Sequence, residues 1–219
     1  MEYIYNSSLV KIQKSNTYSF TIHSSYNNYF KNSLEVLNVP YKNDAVSTKI
    51  NIQTDSFISL REYIDNKPDK LLELFDITFM IQDIVNQIQY LENNNQTVPF
   101  FSIEDFFILN KNSCLFIGLD KVCEYNENGN FKVQNIIKKK TDDFFSPEID
   151  AIKHIPTTLH YKSCYYSLGI MLLKIFINVD IKKNDDYHEN TKIIYGLPCY
   201  WFIQNAIAKN SKDRYILFI

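Results

Sequence analysis

Two carboxylates, Asp105 and Asp120, flank a stretch that reads as a β-hairpin, with β-like runs at 106–109 and 114–117 joined by the turn Asn110-Lys111-Asn112-Ser113. Paired carboxylates can hold a hard cation such as Mg²⁺, which takes oxygen ligands. The plainer reading makes them turn residues that bond their own backbone. His154, His160 and Cys164 raise the chemistry of a Cys–His nucleophile, but no orienting partner is visible and packing or surface roles are preferred. The basic run Ile137-Lys138-Lys139-Lys140 can meet an acidic partner, although a solvated loop face accounts for it as well. Trp201, between Tyr200 and Phe202, suits an interface anchor or a helix core equally.

Some chemistry is excluded outright. The first glycine is Gly118. A Gly-rich phosphate loop needs residues without Cβ, so that the backbone can turn sharply and aim its N–H groups at phosphate oxygens. The first 117 residues cannot build one. Cys114, Cys123, Cys164 and Cys199 form no CxxC pair, so no metal site is expected on this spacing. They read as reduced, mostly buried thiols of an intracellular, cytoplasmic protein.

The elements that must position these residues follow from periodicity. Residues 9–12 and 18–22 are predicted strands, with a turn at Ser15-Asn16-Thr17; 46–53 is a further strand or bent strand pair. Residues 26–37 are predicted to form a short helix ending before Pro40, and 60–64 another. Pro68-Asp69 is expected to open a long helix to about residue 92, on which Phe75, Ile77, Met80, Ile81, Ile84, Val85, Ile88 and Leu91 recur at helical spacing. Residues 124–145, polar and lysine-rich, are expected to be a long exposed loop. Helices are predicted over 161–178 and 198–217, separated by a charged loop at 182–186.

With 219 residues, 45% of them hydrophobic, and a net charge of −2, the chain has the composition of a globular protein. That charge gives no reason to expect nucleic acid or an anionic membrane as partner. No signal segment is read at the N-terminus, and the apolar stretch 168–179 is interrupted by Lys174 and too short to span a bilayer. Heavy use of Asn, Lys, Ile and Tyr suggests an AT-rich genome, such as that of a large virus or a parasite.

Four islands in fixed order then stand out: 102–109, Leu115-Phe116-Ile117-Gly118-Leu119-Asp120, Ser146-Pro147-Glu148 and Tyr166-Ser167-Leu168-Gly169. With Lys212-Asp213-Arg214 they resemble the C-terminal lobe of a protein kinase. The resemblance covers residues 57–217 well and the first 56 loosely. It implies an α+β, protein-kinase-like fold: a reduced β-rich N-lobe over 1–56 and a mainly helical C-lobe over 57–219.

The resemblance also implies that catalysis is lost. The proton-accepting aspartate of the family falls on Phe100, the loop lysine on Ser102, the metal-holding asparagine on Asp105 and the DFG aspartate on Gly118. Asp120 lies two residues away. No lysine occupies the phosphate-pairing position near residues 20–23, and Lys11 is a poorly placed substitute. Ser146-Pro147-Glu148 matches APE and Tyr166-Ser167-Leu168-Gly169 matches W-S-x-G, while Cys164 replaces the aspartate that supports the catalytic loop. Glu148 and Arg214 correspond to the family's structural clasp, a buried ion pair. The expectation is a pseudokinase with no catalytic residue, metal or cofactor, acting on a protein partner such as a kinase or kinase substrate. The alternative is a divergent kinase binding ATP and Mg²⁺ through Asp105 and Asp120.

Overall fold

The computed structural model describes residues 2–14, 17–43, 49–68, 72–138, 140–141, 143–177 and 187–217. The fold is α+β, and every strand pairing among the described residues is antiparallel.

Strands β1 (Glu2–Asn6), β2 (Val10–Lys14) and β3 (Tyr18–Ile22) form a meander that continues through β5 (Lys49–Ile52) to β4 (Tyr41–Asn43) at the far edge. Alternation decides which face is buried: Val10, Ile12, Phe20, Ile22, Ile50 and Ile52 point inward and Lys11 and Lys49 outward. Helix α1 (Asn27–Val36) crosses that face, with Phe20 5.7 Å from Phe30 between ring centroids. The sequence reading did not find β1 or β4. Residues 44–48, part of the predicted strand at 46–53, lie outside the described residues, as does Ser15-Asn16 of the predicted turn.

Strand β6 (Phe57–Ser59) runs into α2 (Leu60–Asp65), and α3 (Leu74–Asn93) follows. The long helix starts at Leu74 rather than at Pro68. Glu73 is still extended, and its N–H donates to Asp76 Oδ2 (2.9 Å) in the first turn, a local bond that fixes where the helix begins. Its apolar stripe is buried as predicted from spacing, except that Phe75 faces solvent.

After β7 (Gln96–Thr97) and β8 (Phe101–Ser102) comes the hairpin of β9 (Phe106–Leu109) and β10 (Ser113–Phe116). Its turn has Asn110 and Lys111 at φ 50° and 66°, the two left-handed residues that match the twist of paired strands. Strand β6 pairs β9 on one side, which leaves β10 as an edge. Side chains of α3 cover that edge. Gln87 accepts from Phe116 N–H (2.9 Å) and donates to the Cys114 carbonyl (2.8 Å), and Asp83 accepts from Cys114 N–H (2.7 Å). A helix thus satisfies an edge strand's backbone, which an open edge leaves exposed to other chains.

The segment 124–145 is not one exposed loop. It holds the end of β11 (Cys123–Glu124), β12 (Asn130–Val133) and β13 (Asp143–Phe144). Phe131 and Val133 are buried while Lys132 is exposed, and β12 pairs with β14 (Thr157–His160), a partner too distant in sequence for local patterning to reveal. The last helical region is also shorter than expected. Following α4 (Pro147–Asp150), α5 (Ser163–Ile177) and α6 (Tyr187–Asn190), α7 runs only over Pro198–Ala206. Beyond it the Arg214 side chain takes the carbonyls of Ala208 and Lys209 (2.8 and 3.3 Å), which draws the chain around the guanidinium instead of into a helix. Residues 178–186, including the predicted charged loop, lie outside the described residues. No helix among the described residues is long and apolar enough to cross a membrane.

One hydrophobic cluster runs from Val10 to Ile216. Helix α5 is buried on nearly all sides, and Gly169 lets it close on α7. A Cβ there would stand 2.7 Å from Ile207 Cγ2 and 3.1 Å from Ala206 Cβ. Gly169→Ala gains about 1 kcal/mol of helix propensity, yet it is expected to lower stability by a net ~1–3 kcal/mol through overpacking. Urea unfolding measures this; a neutral or stabilising result would mean that α5 and α7 do not press together at this point.

Candidate functional site

Strand β8, the hairpin and β13 converge on a cavity of about 360 Å³. Asp105 and Asp120 both line it, as do Tyr5, Phe100, Gly118 and Lys121. Asp105 closes a 3-10 turn (Ile103–Asp105) that begins at Ser102, whose N–H donates to Asp105 Oδ2 at 2.7 Å. The Asp105 carbonyl accepts from Ile117 N–H (2.8 Å), which fixes the two ends of the hairpin against each other. Beyond Gly118 a second 3-10 turn (Leu119–Lys121) swings Lys121 back over the site.

The Lys121 ammonium lies 2.6 Å from Asp105 Oδ2 and 4.4 Å from the centre of the Phe100 ring. It therefore has a carboxylate on one side and a π-face on the other. Asp105 is only 5% exposed. Burial pushes its carboxyl up, the nearby Asp143 adds to this, and Lys121 offsets the rise only in part. Both bonds to the Asp105 carboxylate fall on Oδ2, while Oδ1 lies against Gly118. A Cβ at position 118 would meet Asp105 Oδ1 at 2.7 Å and the Phe116 ring at 2.8 Å, so no side chain fits there without displacing the carboxylate.

Asp120 sits apart from this pair. It is exposed and accepts from the Ser8 hydroxyl in the β1–β2 turn (2.6 Å). That bond ties the N-terminal sheet across the mouth of the cavity, and Tyr5 of β1 packs edge-on against Phe107 behind it. Lys138 and Lys140 of the basic run also line the cavity; Lys139 lies outside the described residues. Lys11 is exposed and borders a different cavity, beside His23.

Glu148 and Arg214 come together, with the two terminal guanidinium nitrogens on the two carboxylate oxygens, the second at 3.0 Å. Arg214 is fully buried and stacks over Tyr166 at 4.8 Å. Burial alone would push the Glu148 carboxyl up, but the guanidinium and the Ser163 hydroxyl together hold it below its ordinary value. Ser167, in the same island as Gly169, accepts from Phe101 N–H (2.7 Å) and donates to the Phe144 carbonyl. One hydroxyl thereby fastens β8 and β13 to α5, which is what holds Phe100 and Asp143 at the cavity.

Cys164 forms no pair with a histidine among the described residues. Cys164 is buried with its thiol beside Thr97 Oγ1 (3.6 Å), and burial raises it far from the thiolate range; His160 Nδ1 instead accepts from Lys162 N–H (3.3 Å). Among the described residues no group of three or more His, Cys, Asp or Glu is placed to hold a metal ion. Trp201 faces solvent while Phe202 is buried, so the interface reading of that tryptophan survives and the core reading does not. Sequence reasoning missed Lys121, Gln87 and Asp83, and it had Ser167 only as part of the W-S-x-G match. Each acts across the fold, and of the three missed only the position of Lys121, next to Asp120, gave any sign. No family model matches this sequence, and no curated protein matches it.

Proposed function

We propose that this chain is a catalytically inactive kinase-like protein that acts by binding protein partners. The observation that carries the reading is Lys121: its ammonium stands at 2.6 Å from Asp105 Oδ2, an oxygen that a divalent cation held by both oxygens of that carboxylate would need. A divalent ion bound through one or two carboxylates also needs room for its waters. Phe100, which lines the same cavity, has no proton to accept or give. The Glu148–Arg214 pair supports the reading from the other side, because the resemblance expects an ion pair at these two positions and the two side chains do meet. On this reading residues 1–56 are a reduced N-lobe and 57–219 a C-lobe. The protein works inside the cell without cofactor, on a kinase, a kinase substrate or a scaffold.

The competing reading, a divergent kinase that binds ATP and Mg²⁺, draws on one fact: Asp105 and Asp120 line the same cavity. A thermal-shift titration separates the two. The inactive reading expects no saturable rise in melting temperature with millimolar ATP and Mg²⁺. A saturable rise that Asp105→Asn abolishes would overturn it.

A further inference from the structure

A second cavity opens beside the one at Asp105. Strands β12 and β14 pair only as far as Val133 opposite Thr157. Past that pair the ladder stops, and the segments that extend the two strands line one groove of about 330 Å³. Ile136 and Ile137 come from the first segment, Ile152 and Ile155 from the second. Buried Phe145 and Ile149 form its floor. The Phe145 ring meets Phe100 at 4.6 Å between centroids, so the floor leans on a residue that lines the other cavity. Ile136, at 77% exposed, stands open on the rim. A concave, mostly aliphatic groove of this size has the form of a binding cleft, unlike hydrophobics scattered singly over a surface.

Two observations restrict the occupant. The backbone N–H and C=O groups of residues 135–138 and 153–155 bond to no other protein group among the described residues. Unpaired backbone beside a groove is what an added strand uses. An acyl chain would cover the isoleucines but leave those groups unmet. Charge gives the second restriction. Lys138 follows Ile137 and Lys153 lines the groove; both are exposed, and neither forms an ion pair among the described residues. Asp150, which also lines the groove, already has a partner. The free charge here is therefore positive and complements an acidic occupant. A second copy of the chain fits poorly, because a stable interface takes about 20–30 residues a side and eight line this groove.

We propose that this groove binds an extended segment of a partner protein in which aliphatic and acidic residues alternate. In an extended chain successive side chains point to opposite faces. One face sets its aliphatic side chains against Ile136, Ile152 and Phe145. The other turns its carboxylates toward Lys138 and Lys153 on the rim. The segment's own N–H and C=O groups pair with residues 135–138, as a strand added to an open edge does. The proposal names the partner chemistry of the binding-module reading and rests on that reading's claim that the chain binds protein. It uses neither Asp105 nor Lys121.

The full chain is titrated into a fluorescein-labelled heptapeptide of alternating glutamate and valine, and anisotropy is read. Saturable binding is expected, and none for the peptide that carries lysine in place of glutamate. N-methylation of one alternate set of amides should abolish binding and of the other set should not, because only one edge of the strand faces residues 135–138. Ile136→Ser, at an exposed position, should weaken binding about tenfold with an unchanged circular dichroism spectrum. No saturable binding, equal binding of the lysine peptide, tolerance of both N-methylated sets or an unchanged affinity in Ile136→Ser would each overturn the proposal. So would self-association in sedimentation that Ile136→Ser abolishes, which would assign the groove to a second copy. The nucleotide titration is independent: a peptide failure leaves the inactive reading standing, and a nucleotide response removes that reading without touching this groove.

Discussion

Glu148→Ala is expected to destabilise the protein by about 3–5 kcal/mol, because it strands a buried guanidinium. For a chain of this length that is a fall of roughly 10 °C in melting temperature. Arg214 is fully buried, whereas the Glu148 side chain is a quarter exposed. Loss of the acid therefore leaves a buried guanidinium without its counter-charge. The backbone carbonyls of Ala208 and Lys209 remain as partners, but they carry no net charge. Glu148→Ala with Arg214→Met should be more stable than Glu148→Ala alone, since methionine can fill the stem's place beside Tyr166 without a charge to satisfy. If the double variant instead loses the sum of two large single effects, the ion pair is not what holds this corner. The pH dependence has a definite sign. The Glu148 carboxyl is held below its ordinary value of 4.5. Its contribution is therefore fully present above that pH and is lost as pH falls through the lowered native value. The gap between wild type and Glu148→Ala should narrow in acid and stay constant from pH 6 to pH 8.

What could be read from the sequence was whatever repeats or sits next to itself. The stripe on α3, the alternation in β2 and β3, and the turn at Asn110-Lys111 each encode their element locally, and each is found where the residues place it. Elements that depend on distant partners stayed hidden. Strand β12 looks like a polar loop until it pairs with residues 157–160. The end of α7 is set by a guanidinium eight residues further on. The site divides in the same way. Asp105 and Asp120 could be singled out as carboxylates beside a hairpin. That one is buried under a lysine and the other tied to Ser8 depends on side-chain reach, which spacing does not encode. Gly118 is the instructive case. From the sequence it was a missing carboxylate. In the fold it is the space that Asp105 itself fills.

Asp83→Asn is expected to stabilise the protein at pH 8 and to do so much less at pH 5. Burial in the groove between α3 and β10 pushes the Asp83 carboxyl up to about 7, and the bond from Cys114 N–H only partly offsets this. The folded protein therefore keeps a proton on Asp83 that the unfolded chain has released above an ordinary value of 3.8. As pH rises between those two values the folded state binds the extra proton, so stability falls at up to ~1.4 kcal/mol per pH unit and levels off above the folded value. From pH 5 to pH 8 the wild type should lose about 2–3 kcal/mol from this group. Asparagine keeps the oxygen that accepts from Cys114 N–H and carries no charge at either pH, so the variant escapes that loss. Melting curves at the two pH values give the test: the stabilising effect of the substitution must grow between them. An equal effect at both would mean that Asp83 is ionised throughout. The physical point concerns the site, because Asp83 and Gln87 are the side chains that seal β10. Near neutral pH, ionisation of Asp83 strengthens one hydrogen bond to the hairpin while charging a poorly hydrated groove. The support beneath Gly118 and Lys121 is then weaker at pH 8 than at pH 5, and slower amide exchange at Cys114 and Phe116 in Asp83→Asn at pH 8, after correction for the intrinsic rate, would locate the effect there.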